Sequence, residues 1–476
     1  MKSTLPKIIQ GGMGFGISNW RLAQAVSRLG QLGVVSGTAL DVVMARRLQA
    51  GDPGNHARRA LKHFPFPKMA QRVLSAFFVP GGVSEGAPYR KLPMSNLDGD
   101  GAPQELCIVG NFVEVFLARE GHSSPVGINY LEKIQLSHLP AMYGALLAGA
   151  SVVLMGAGIP LAVPGILSTL SRHEPVTYPV NVIGADGRNE TFNHQFDPAR
   201  FVEEGNLPVL ERPDFIPIVS SESLASILLR KANGSIEGFV VEGNMAGGHN
   251  APPRGRMTYN AEGEPVYGPR DGANLEAFRK FDVPFWLAGS YGSPEAMQRA
   301  LAAGARGVQV GTAFALCEES GLLPEVRREL VQAALDGNAH VFTDSLASPT
   351  GFPFKVADQA GSLSDASVYE KRQRICDIGF LRQPYRRADN RIGYRCPAEP
   401  VAAYVAKGGK AEDAEGRKCL CNALAANIGM PQILPDGTAE KCLVTMGNDL
   451  LAVGRFCSGG SPDFSAADVV RVVLGA

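Results

Sequence analysis

Short runs of β-branched residues alternate with helical patterns along most of the chain. A run is typically followed by Gly or Ser and then by apolar residues at helical spacing, as in the segment after Ser18, where Leu22, Ala25, Val26 and Leu29 share one face. This alternation is typical of parallel strands joined by crossover helices. It predicts eight strands, at residues 7–10, 33–36, 126–130, 152–155, 215–219, 238–241, 284–288 and 307–310.

Eight strand–helix units predict an α/β fold, a TIM-type (β/α)8 barrel. The alternative is an open, doubly wound sheet, but the expected G-x-G-x-x-G fingerprint with an acidic residue about 20 positions later is not cleanly present. Two helix starts support the unit boundaries. Ser220 or Ser221 is expected to cap one helix, and Ser293 precedes Pro294 at the start of another.

The chain is longer than a simple barrel requires. It has 476 residues, whereas a barrel of this type takes about 250. We predict that the barrel occupies residues 1–355, with insertions at about 50–105 and 176–213, and that residues 356–476 form an appended region. The second insertion has the pattern of a β-hairpin around residues 185–187. Both insertions could form a lid over the active site, or they could be plain loops or oligomer contacts.

The composition excludes several classes of partner and location. Lys plus Arg and Asp plus Glu each number 46, so no global charge favours nucleic acid or an acidic membrane surface. Residues 139–171 carry no charge, but Gly and Pro interrupt them, which predicts a helix, a buried strand and a helix instead of a membrane span. The amino-terminal residues lack an export signal, and eight Cys residues then indicate reduced thiols in a cytoplasm.

Glycine-rich loops follow the last two predicted strands. Barrel enzymes often bind phosphate after strands seven and eight. Here these loops contain Gly289, Ser290, Gly311 and Thr312. Glycine allows backbone N–H groups to approach an anion closely, and Thr312 adds a hydroxyl donor. Glycines that only form turns would give the same pattern in a single loop.

Five segments together carry a resemblance to a known family. They are Ile-Gln-Gly-Gly-Met-Gly at 9–14, Gly-Ile-Asn at 127–129, Val-Glu-Gly-Asn-Met-Ala-Gly-Gly-His at 241–249, Trp-Leu-Ala-Gly at 286–289 and Gly-Ala-Arg-Gly-Val-Gln-Val-Gly-Thr-Ala-Phe at 304–314. In this order the segments resemble the nitronate monooxygenase family, and related flavin-dependent enoyl reductases share the pattern. The resemblance covers roughly residues 5–50 and 106–355.

The resemblance implies an FMN cofactor at the top of the barrel. Gly11, Gly12 and Met13 would lie against the isoalloxazine ring, and Asn129 would bond the flavin or the substrate. The remaining residues expected at the cofactor are Ser220, Glu242, Gly247, Gly248, Gly289, Ser290, Gln309, Gly311 and Thr312, of which Gly289, Ser290, Gly311 and Thr312 would hold the phosphate. The family usually has glycine where this chain has Ser290, a departure that bears on the backbone conformation there. Glu242 could instead only shape its loop.

His249 is the candidate catalytic residue. It follows two glycines in the loop after strand six, so its ring is expected to face the pocket. An imidazole titrates near neutral pH, and it can move a proton or, when protonated, attract an anionic substrate. We expect no metal at this site.

The appended region is rich in cysteine. Six of the eight Cys fall in it, at 376, 396, 419, 421, 442 and 457. Thiolates close in space could hold zinc or an iron–sulfur cluster, but only the pair 419 and 421 is tight and the spacings match no standard ligand set. The sequence therefore favours buried, reduced thiols in a region packed on the barrel. Residues 371–395 hold eight basic and two acidic residues, which predicts a solvated basic face or a docking site for an acidic carrier protein or a phosphorylated substrate.

These features predict an FMN-dependent oxidoreductase that acts on a small molecule. The first hypothesis is oxidation of a nitronate or related carbanion with O2. The second is NAD(P)H-dependent reduction of an enoyl group, as in fatty-acid or polyketide synthesis, for which a basic carboxy-terminal patch would suit an acidic carrier protein. The third is a non-catalytic partner protein that keeps the barrel and its flavin.

Overall fold

The computed structural model describes residues 5–97, 99, 101–185, 190–202 and 207–476. Its strands are β1 (Ile8–Gln10), β2 (Gly33–Ser36), β3 (Val126–Leu131), β4 (Val152–Gly156), β5 (Val176–Val180), β6 (Phe192–Phe196), β7 (Asp214–Val219), β8 (Phe239–Glu242), β9 (Phe285–Ala288), β10 (Gly307–Val310), β11 (Val341–Asp344), β12 (Phe354–Ala357), β13 (Gln383–Arg386) and β14 (Ile392–Arg395).

The α-helices are α1 (Trp20–Arg28), α2 (Leu40–Gln49), α3 (His56–Leu61), α4 (Pro67–Phe77), α5 (Gly101–Arg119), α6 (His138–Leu147), α7 (Val163–Leu170), α8 (Glu222–Lys231), α9 (Leu275–Phe278), α10 (Pro294–Ala302), α11 (Thr312–Ala315), α12 (Pro324–Leu335), α13 (Ala366–Glu370), α14 (Val401–Ala406), α15 (Leu420–Ala426) and α16 (Ala466–Leu474). Short 3-10 helices are Pro53–Asn55, Gln135–Ser137, Pro198–Phe201, Pro269–Asp271, Ala411–Ala414 and Asn448–Phe456.

Eight parallel strands form the central sheet. Their order is β1-β10-β9-β8-β7-β4-β3-β2, and a parallel bridge between Ile9 and Leu32 joins the two ends. The strands alternate with helices, which makes this a (β/α)8 barrel. The predicted fold class is confirmed, and the predicted strands agree with the observed ones to within one residue at each end.

The barrel strands are buried on both faces. Ile9, Val34, Ile216 and Trp286 belong to an apolar cluster of alternating strand residues, whereas neighbours such as Ile8 belong to the larger cluster shared with the surrounding helices. A strand covered on both sides has no polar face to expose. This explains why these strands are near-continuous apolar runs in the sequence.

The helix caps agree with those predicted from the sequence, except at the first helix. Ser221 accepts a hydrogen bond from the Leu224 N–H at the start of α8, and Ser293 caps α10. The helix expected near Ser18 begins at Trp20 with Asn19 as its cap. The Ser18 hydroxyl instead accepts from the Met13 N–H and donates to the Gly11 carbonyl, so it supports the loop after β1.

The uncharged segment 139–171 folds as α6, β4 and α7, as expected. Among the described residues, no helix is long and apolar enough to cross a membrane.

The two insertions have different structures. The first contains α3, α4 and the start of α5, which packs along the outside of the barrel. The second contains the antiparallel pair β5 and β6. The predicted hairpin turn includes residues 186 and 187, which lie outside the described residues. The Tyr178 hydroxyl donates to the Glu132 carboxylate, so the hairpin contacts the segment that follows β3.

The carboxy-terminal region packs against the barrel. Leu450, Val453, Phe456 and Val469 belong to the same apolar cluster as the barrel helices. The pairs β11–β12 and β13–β14 form small antiparallel sheets. The region therefore shares its core with the barrel.

Candidate active site

A cavity of about 420 Å³ lies at the carboxyl ends of the barrel strands. This volume is within the usual range of small-molecule sites, roughly 300–1,000 Å³. The structure brings all fourteen predicted site residues to its wall, namely Gly11, Gly12, Met13, Asn129, Ser220, Glu242, Gly247, Gly248, His249, Gly289, Ser290, Gln309, Gly311 and Thr312.

The loop after β1 depends on glycine for its packing against β3. A Cβ on Gly12 would lie 2.3 Å from the Asn129 Cβ, a distance that real side chains do not reach. The Asn129 amide donates to the Gly12 carbonyl at 3.3 Å. Only glycine therefore allows this loop to lie against Asn129 at the cavity wall.

The loop after β8 is held between two carboxy-terminal segments. A Cβ on Gly247 would lie 2.8 Å from the Gly447 nitrogen. The Gly248 N–H donates to the Thr445 hydroxyl at 2.8 Å, and the Lys355 N–H donates to the Gly248 carbonyl at 3.0 Å. These contacts fix the backbone that carries His249.

His249 lies in the cavity wall with a defined orientation. Its Nε2 is 2.7 Å from the Ser348 hydroxyl oxygen, and its ring meets Phe354 edge to face at 4.9 Å. Burial lowers the pKa of His249 to about 4, because the imidazolium form would lose hydration. The ring is therefore neutral at pH 7. The protonated imidazole considered from the sequence is not the form that this environment favours.

The pKa of Glu242 is shifted in the opposite direction from that of His249. Burial raises the pKa of its carboxyl to about 8, since an ionised carboxylate is poorly solvated there. Among the described residues, no Lys or Arg lines the cavity to offset the charge. At neutral pH Glu242 is therefore mostly protonated, and its carboxyl can donate a hydrogen bond into the cavity.

The loops after β9 and β10 form the predicted phosphate end. Gly289 has φ +100° and Ser290 has φ +60°, both in the left-handed region that favours glycine. Ser290 thus adopts the backbone that a glycine would take. The Thr312 hydroxyl oxygen accepts a bond from the Gly447 N–H at 2.9 Å, which leaves its proton for another acceptor. Asp449 also lines this cavity, and burial raises the pKa of its carboxyl.

Several buried polar atoms in the cavity wall have no partner within the described part of the protein. They are Asn129 Oδ1, Asn250 Oδ1, Ser290 Oγ and Gln309 Oε1. Buried polar atoms are normally hydrogen-bonded. Their grouping fits a ligand with many hydrogen-bonding atoms, as a flavin with its phosphate has.

The match to a known protein family lies in the second half of the barrel. Residues 206–344 match the nitronate monooxygenase family. The match contains the loops that carry His249, Ser290 and Thr312, and the resemblance predicted from the sequence is confirmed. The chain is a flavin-dependent oxidoreductase.

Several solved structures are similar to the whole chain at low identity. FabK from Thermotoga maritima is 15% identical, with 99% of this chain and 92% of that chain covered and a TM-score of 0.46. Nitroalkane oxidase from Streptomyces ansochromogenes is 15% identical, with 99% and 95% covered and a TM-score of 0.47. The enoyl reductase domain of MlnA from the macrolactin biosynthesis cluster of Bacillus amyloliquefaciens is 11% identical, with 98% and 92% covered and a TM-score of 0.47. No protein of curated function matches the chain at a significant level.

Part of the cavity wall comes from residues that sequence reasoning did not identify. They follow the barrel strands in the chain and are Phe352, Phe354, Leu424, Thr445, Met446, Gly447 and Asp449. Ser348, which contacts His249, was also missed. None of the described residues of the two insertions lines the cavity. The wall that could have been a lid of inserted residues is instead formed by carboxy-terminal ones.

The basic residues of 371–395 do not form a free basic face. Arg372 pairs with Glu440, and Arg386 pairs with Glu190. Arg395 donates to the Lys407 carbonyl. These three charges are engaged within the protein, two of them in the carboxy-terminal region and one with the second insertion, so they are not available to dock an acidic carrier protein.

Proposed function

We propose that the protein is an FMN-dependent nitronate monooxygenase, which oxidises an alkyl nitronate or a related carbanion with O2. The observation that carries the proposal is the position of His249. It lies in the segment that matches the family, directly after Gly247 and Gly248, and its ring is held in the wall of the cavity.

FMN fits the residues present. Its phosphate would be held by Gly289, Ser290, Gly311 and Thr312 through backbone N–H groups and hydroxyls. The unpartnered oxygens of Asn129 and Gln309 would bond the flavin. The chain lacks an adenosine-binding fingerprint, which favours FMN over FAD. When bound, FMN would supply reversible electron acceptance from the substrate and reoxidation by oxygen.

A neutral His249 suits proton acceptance more than anion attraction. It can accept a proton from the carbon of a neutral nitro compound, with Ser348 holding the ring. Its pKa of about 4 makes it a weak base, so a substrate that arrives already ionised would depend on His249 less. In that case the ring would contribute mainly to orientation.

A second candidate is an NAD(P)H-dependent enoyl reductase. It is favoured by the absence of Lys and Arg from the described cavity wall, and by the neutral states of His249 and Glu242 at pH 7. A neutral acyl thioester would meet no unpaired charge there. Phe352 and Phe354 add an apolar surface for an acyl chain.

Anaerobic rapid mixing separates the two candidates. The purified protein is first denatured in a portion to identify the released flavin, which we expect to be FMN. The intact holoprotein is then mixed with an alkyl nitronate or with NADH or NADPH, and bleaching of the flavin is followed. Bleaching by the nitronate supports the proposal. Bleaching by a nicotinamide alone, followed by reoxidation with an enoyl thioester, supports the second candidate and contradicts the first.

A further inference from the structure

Two hydroxyls form a hydrogen-bonded path that leads from His249 away from the active-site cavity. The His249 Nε2 is 2.7 Å from the Ser348 Oγ, and the Ser348 Oγ is 2.8 Å from the Thr350 Oγ1. His249 lines the cavity, whereas Ser348 and Thr350 do not belong to its wall. The path therefore begins at the cavity and continues behind it.

The far end of the path lies near the surface of the protein. Ser348 is fully buried, Thr350 is half-buried, and the neighbouring Gly351 is exposed. Exposure increases from Ser348 towards the loop beyond it. A proton that reaches the Thr350 hydroxyl is therefore close to solvent.

The loop that carries Ser348 is held in place on both sides. Arg417 donates to the carbonyls of Leu346 and Ser348, each at 2.7 Å. The Leu346 and Ala347 N–H groups donate to the Asp344 carboxylate at 2.8 and 2.9 Å. Proton transfer requires partners at hydrogen-bond distance, and these contacts keep the Ser348 hydroxyl at that distance from the imidazole.

The backbone around the two hydroxyls limits the directions in which they can bond. The Ser348 Oγ accepts the Thr350 N–H at 3.2 Å, and the Thr350 Oγ1 accepts the Phe352 N–H at 3.4 Å. A hydroxyl has one proton and two lone pairs. One lone pair of Ser348 is used by the backbone, so one proton and one lone pair remain for His249 and Thr350. Ser348 must donate to one of them and accept from the other.

Two arrangements of protons satisfy this path. In the first, the His249 Nε2–H donates to Ser348, Ser348 donates to Thr350, and the Thr350 proton is left for water. In the second, each of these bonds is reversed and Nε2 carries no proton. A neutral imidazole has one N–H, so Nδ1 is a free acceptor in the first arrangement and is protonated in the second. Within the described part of the protein, Nδ1 has no hydrogen-bond partner, so it is the nitrogen available to a substrate.

We propose that Ser348 and Thr350 are a proton relay that carries the proton of a neutral nitro compound from His249 to solvent, an inference that rests on the proposed function. The substrate C–H bond breaks, its electron pair stays on the nitronate, and the proton goes to Nδ1. The Nε2 proton moves to Ser348, the Ser348 proton moves to Thr350, and the Thr350 proton moves to water. One proton enters the path and one leaves it.

The relay accounts for proton acceptance by a weakly basic imidazole. Burial lowers the pKa of His249 to about 4, so a persistent imidazolium would be unfavourable in this environment. In the relay, a proton leaves Nε2 when another arrives at Nδ1. The ring is therefore neutral both before and after the transfer.

The test compares two substrates that differ by one proton. A neutral nitroalkane must be deprotonated, whereas its nitronate needs no proton acceptor. Thr350→Val removes the hydroxyl and keeps about the same size, and Thr350→Ser keeps the hydroxyl. With the nitroalkane, anaerobic bleaching of the flavin should be about tenfold slower in Thr350→Val, the order expected for a lost hydrogen bond in the path, and near the wild-type rate in Thr350→Ser. With the nitronate, both variants should react like the wild type.

A second measurement needs no substrate. The 15N resonances of the His249 ring in the resting holoprotein are assigned by their absence from His249→Ala. At pH 7 they should show a proton on Nε2 and none on Nδ1. A proton on Nδ1 would overturn the relay, because no acceptor would then be left for the substrate.

The rates separate failure of the relay from failure of the proposed function. Equal slowing of Thr350→Val with both substrates would make Thr350 a structural residue and overturn the relay, as would a wild-type rate of this variant with the nitroalkane. Wild-type flavin that is bleached by the nitronate alone would also overturn the relay but would leave the proposed function in place. Bleaching by neither compound would contradict the proposed function itself.

Discussion

The environment of His249 determines the form in which its imidazole acts. The ring is half-buried, bonded to Ser348 and neutral at pH 7. We predict that His249→Ala keeps the fold and the bound flavin, because FMN would be held by other loops. With a neutral nitro compound, flavin reduction should slow by about 10²–10⁴-fold, the usual range for loss of a general base. With an alkyl nitronate, which is already ionised, the loss should be smaller and should appear partly in substrate affinity.

Rapid mixing of the variant with substrate checks this prediction, with the flavin absorbance as the readout. His340→Ala is a suitable control, since His340 is exposed and bonded to Asp358 instead. A His249→Ala protein that is reduced at the wild-type rate would remove His249 from the mechanism. A protein that loses its flavin would make His249 a cofactor ligand.

Because the pKa of Glu242 is raised, we predict that the stability of the flavin-free protein depends on pH. Its folded pKa of about 8 lies above the ordinary value of 4.5. Between these values the folded state binds the proton more tightly than the unfolded state, so the free energy of unfolding decreases as pH rises from 4.5 towards 8. Glu242→Gln should remove this component and stabilise the protein relative to wild type above pH 8.

Denaturant titrations of both proteins at several pH values test this directly. The exposed Glu262 offers the matched control, Glu262→Gln, which should follow the wild type across the range. Parallel pH curves for wild type and Glu242→Gln would show that the carboxyl is not perturbed in the folded protein.

We predict that replacing Thr312 by Asp causes loss of the cofactor without loss of the fold. Thr312→Asp would put a carboxylate at the phosphate end, where like charges in a confined site repel strongly. We expect FMN to be lost while circular dichroism shows the fold retained. Thr312→Ser keeps the hydroxyl that accepts the Gly447 N–H bond, so it should keep its flavin. Full occupancy in Thr312→Asp would place the phosphate elsewhere.

At the scale of elements, the loop after β8 packs so closely against the segment 445–448 that a single added methyl group should disturb the contact. Gly247→Ala would bring a Cβ within 2.8 Å of the Gly447 nitrogen and 3.0 Å of the Met446 carbonyl carbon. Both are backbone atoms, which cannot turn aside as a side chain does. We predict a lower melting temperature and weaker FMN binding.

Gly243→Ala, in the same loop, is the matched control. Its nearest contact would be the Ala288 carbonyl oxygen at 3.7 Å, an ordinary van der Waals distance. It should therefore bind FMN like the wild type, as judged by quenching of flavin fluorescence. Equal affinities in the two variants would mean that segment 445–448 moves freely at the cavity wall.

The barrel strands and the barrel part of the site could be predicted from the sequence, whereas the carboxy-terminal part could not. A strand buried on both faces is a compact apolar run, and the loop that follows it is necessarily at one end of the barrel. Thr445, Gly447 and Asp449 lie in no periodic pattern. The bond between Gly248 and Thr445 spans 197 positions in the chain. The lowered pKa of His249 could not be predicted either, because Ser348 and Phe354, which contact its ring, are distant from it in the sequence.

At the scale of the whole molecule, the carboxy-terminal region and the barrel share one core. Leu450 is fully buried in the apolar cluster that includes the barrel helices. The Glu318 N–H, just after α11, donates to the Phe464 carbonyl, and the Gly447 N–H donates to Thr312. Residue 355 therefore marks a boundary in the sequence, but the residues on its two sides pack into one core.

We predict that residues 1–355 alone aggregate and bind no flavin, since removing the rest exposes apolar helix faces and deletes part of the cavity wall. A milder variant tests the same point in the full chain. Leu450→Ala should destabilise the protein by about 2–5 kcal/mol, the usual cost of a buried Leu→Ala change. Because the core is shared, the loss should appear as one lowered transition in which flavin release and unfolding coincide. Leu451→Ala, at an exposed neighbour, should leave that transition in place. A soluble, yellow 1–355 fragment, or flavin release unaffected by Leu450→Ala, would instead mean that the barrel is an independent unit and that the carboxy-terminal wall is dispensable for the cofactor.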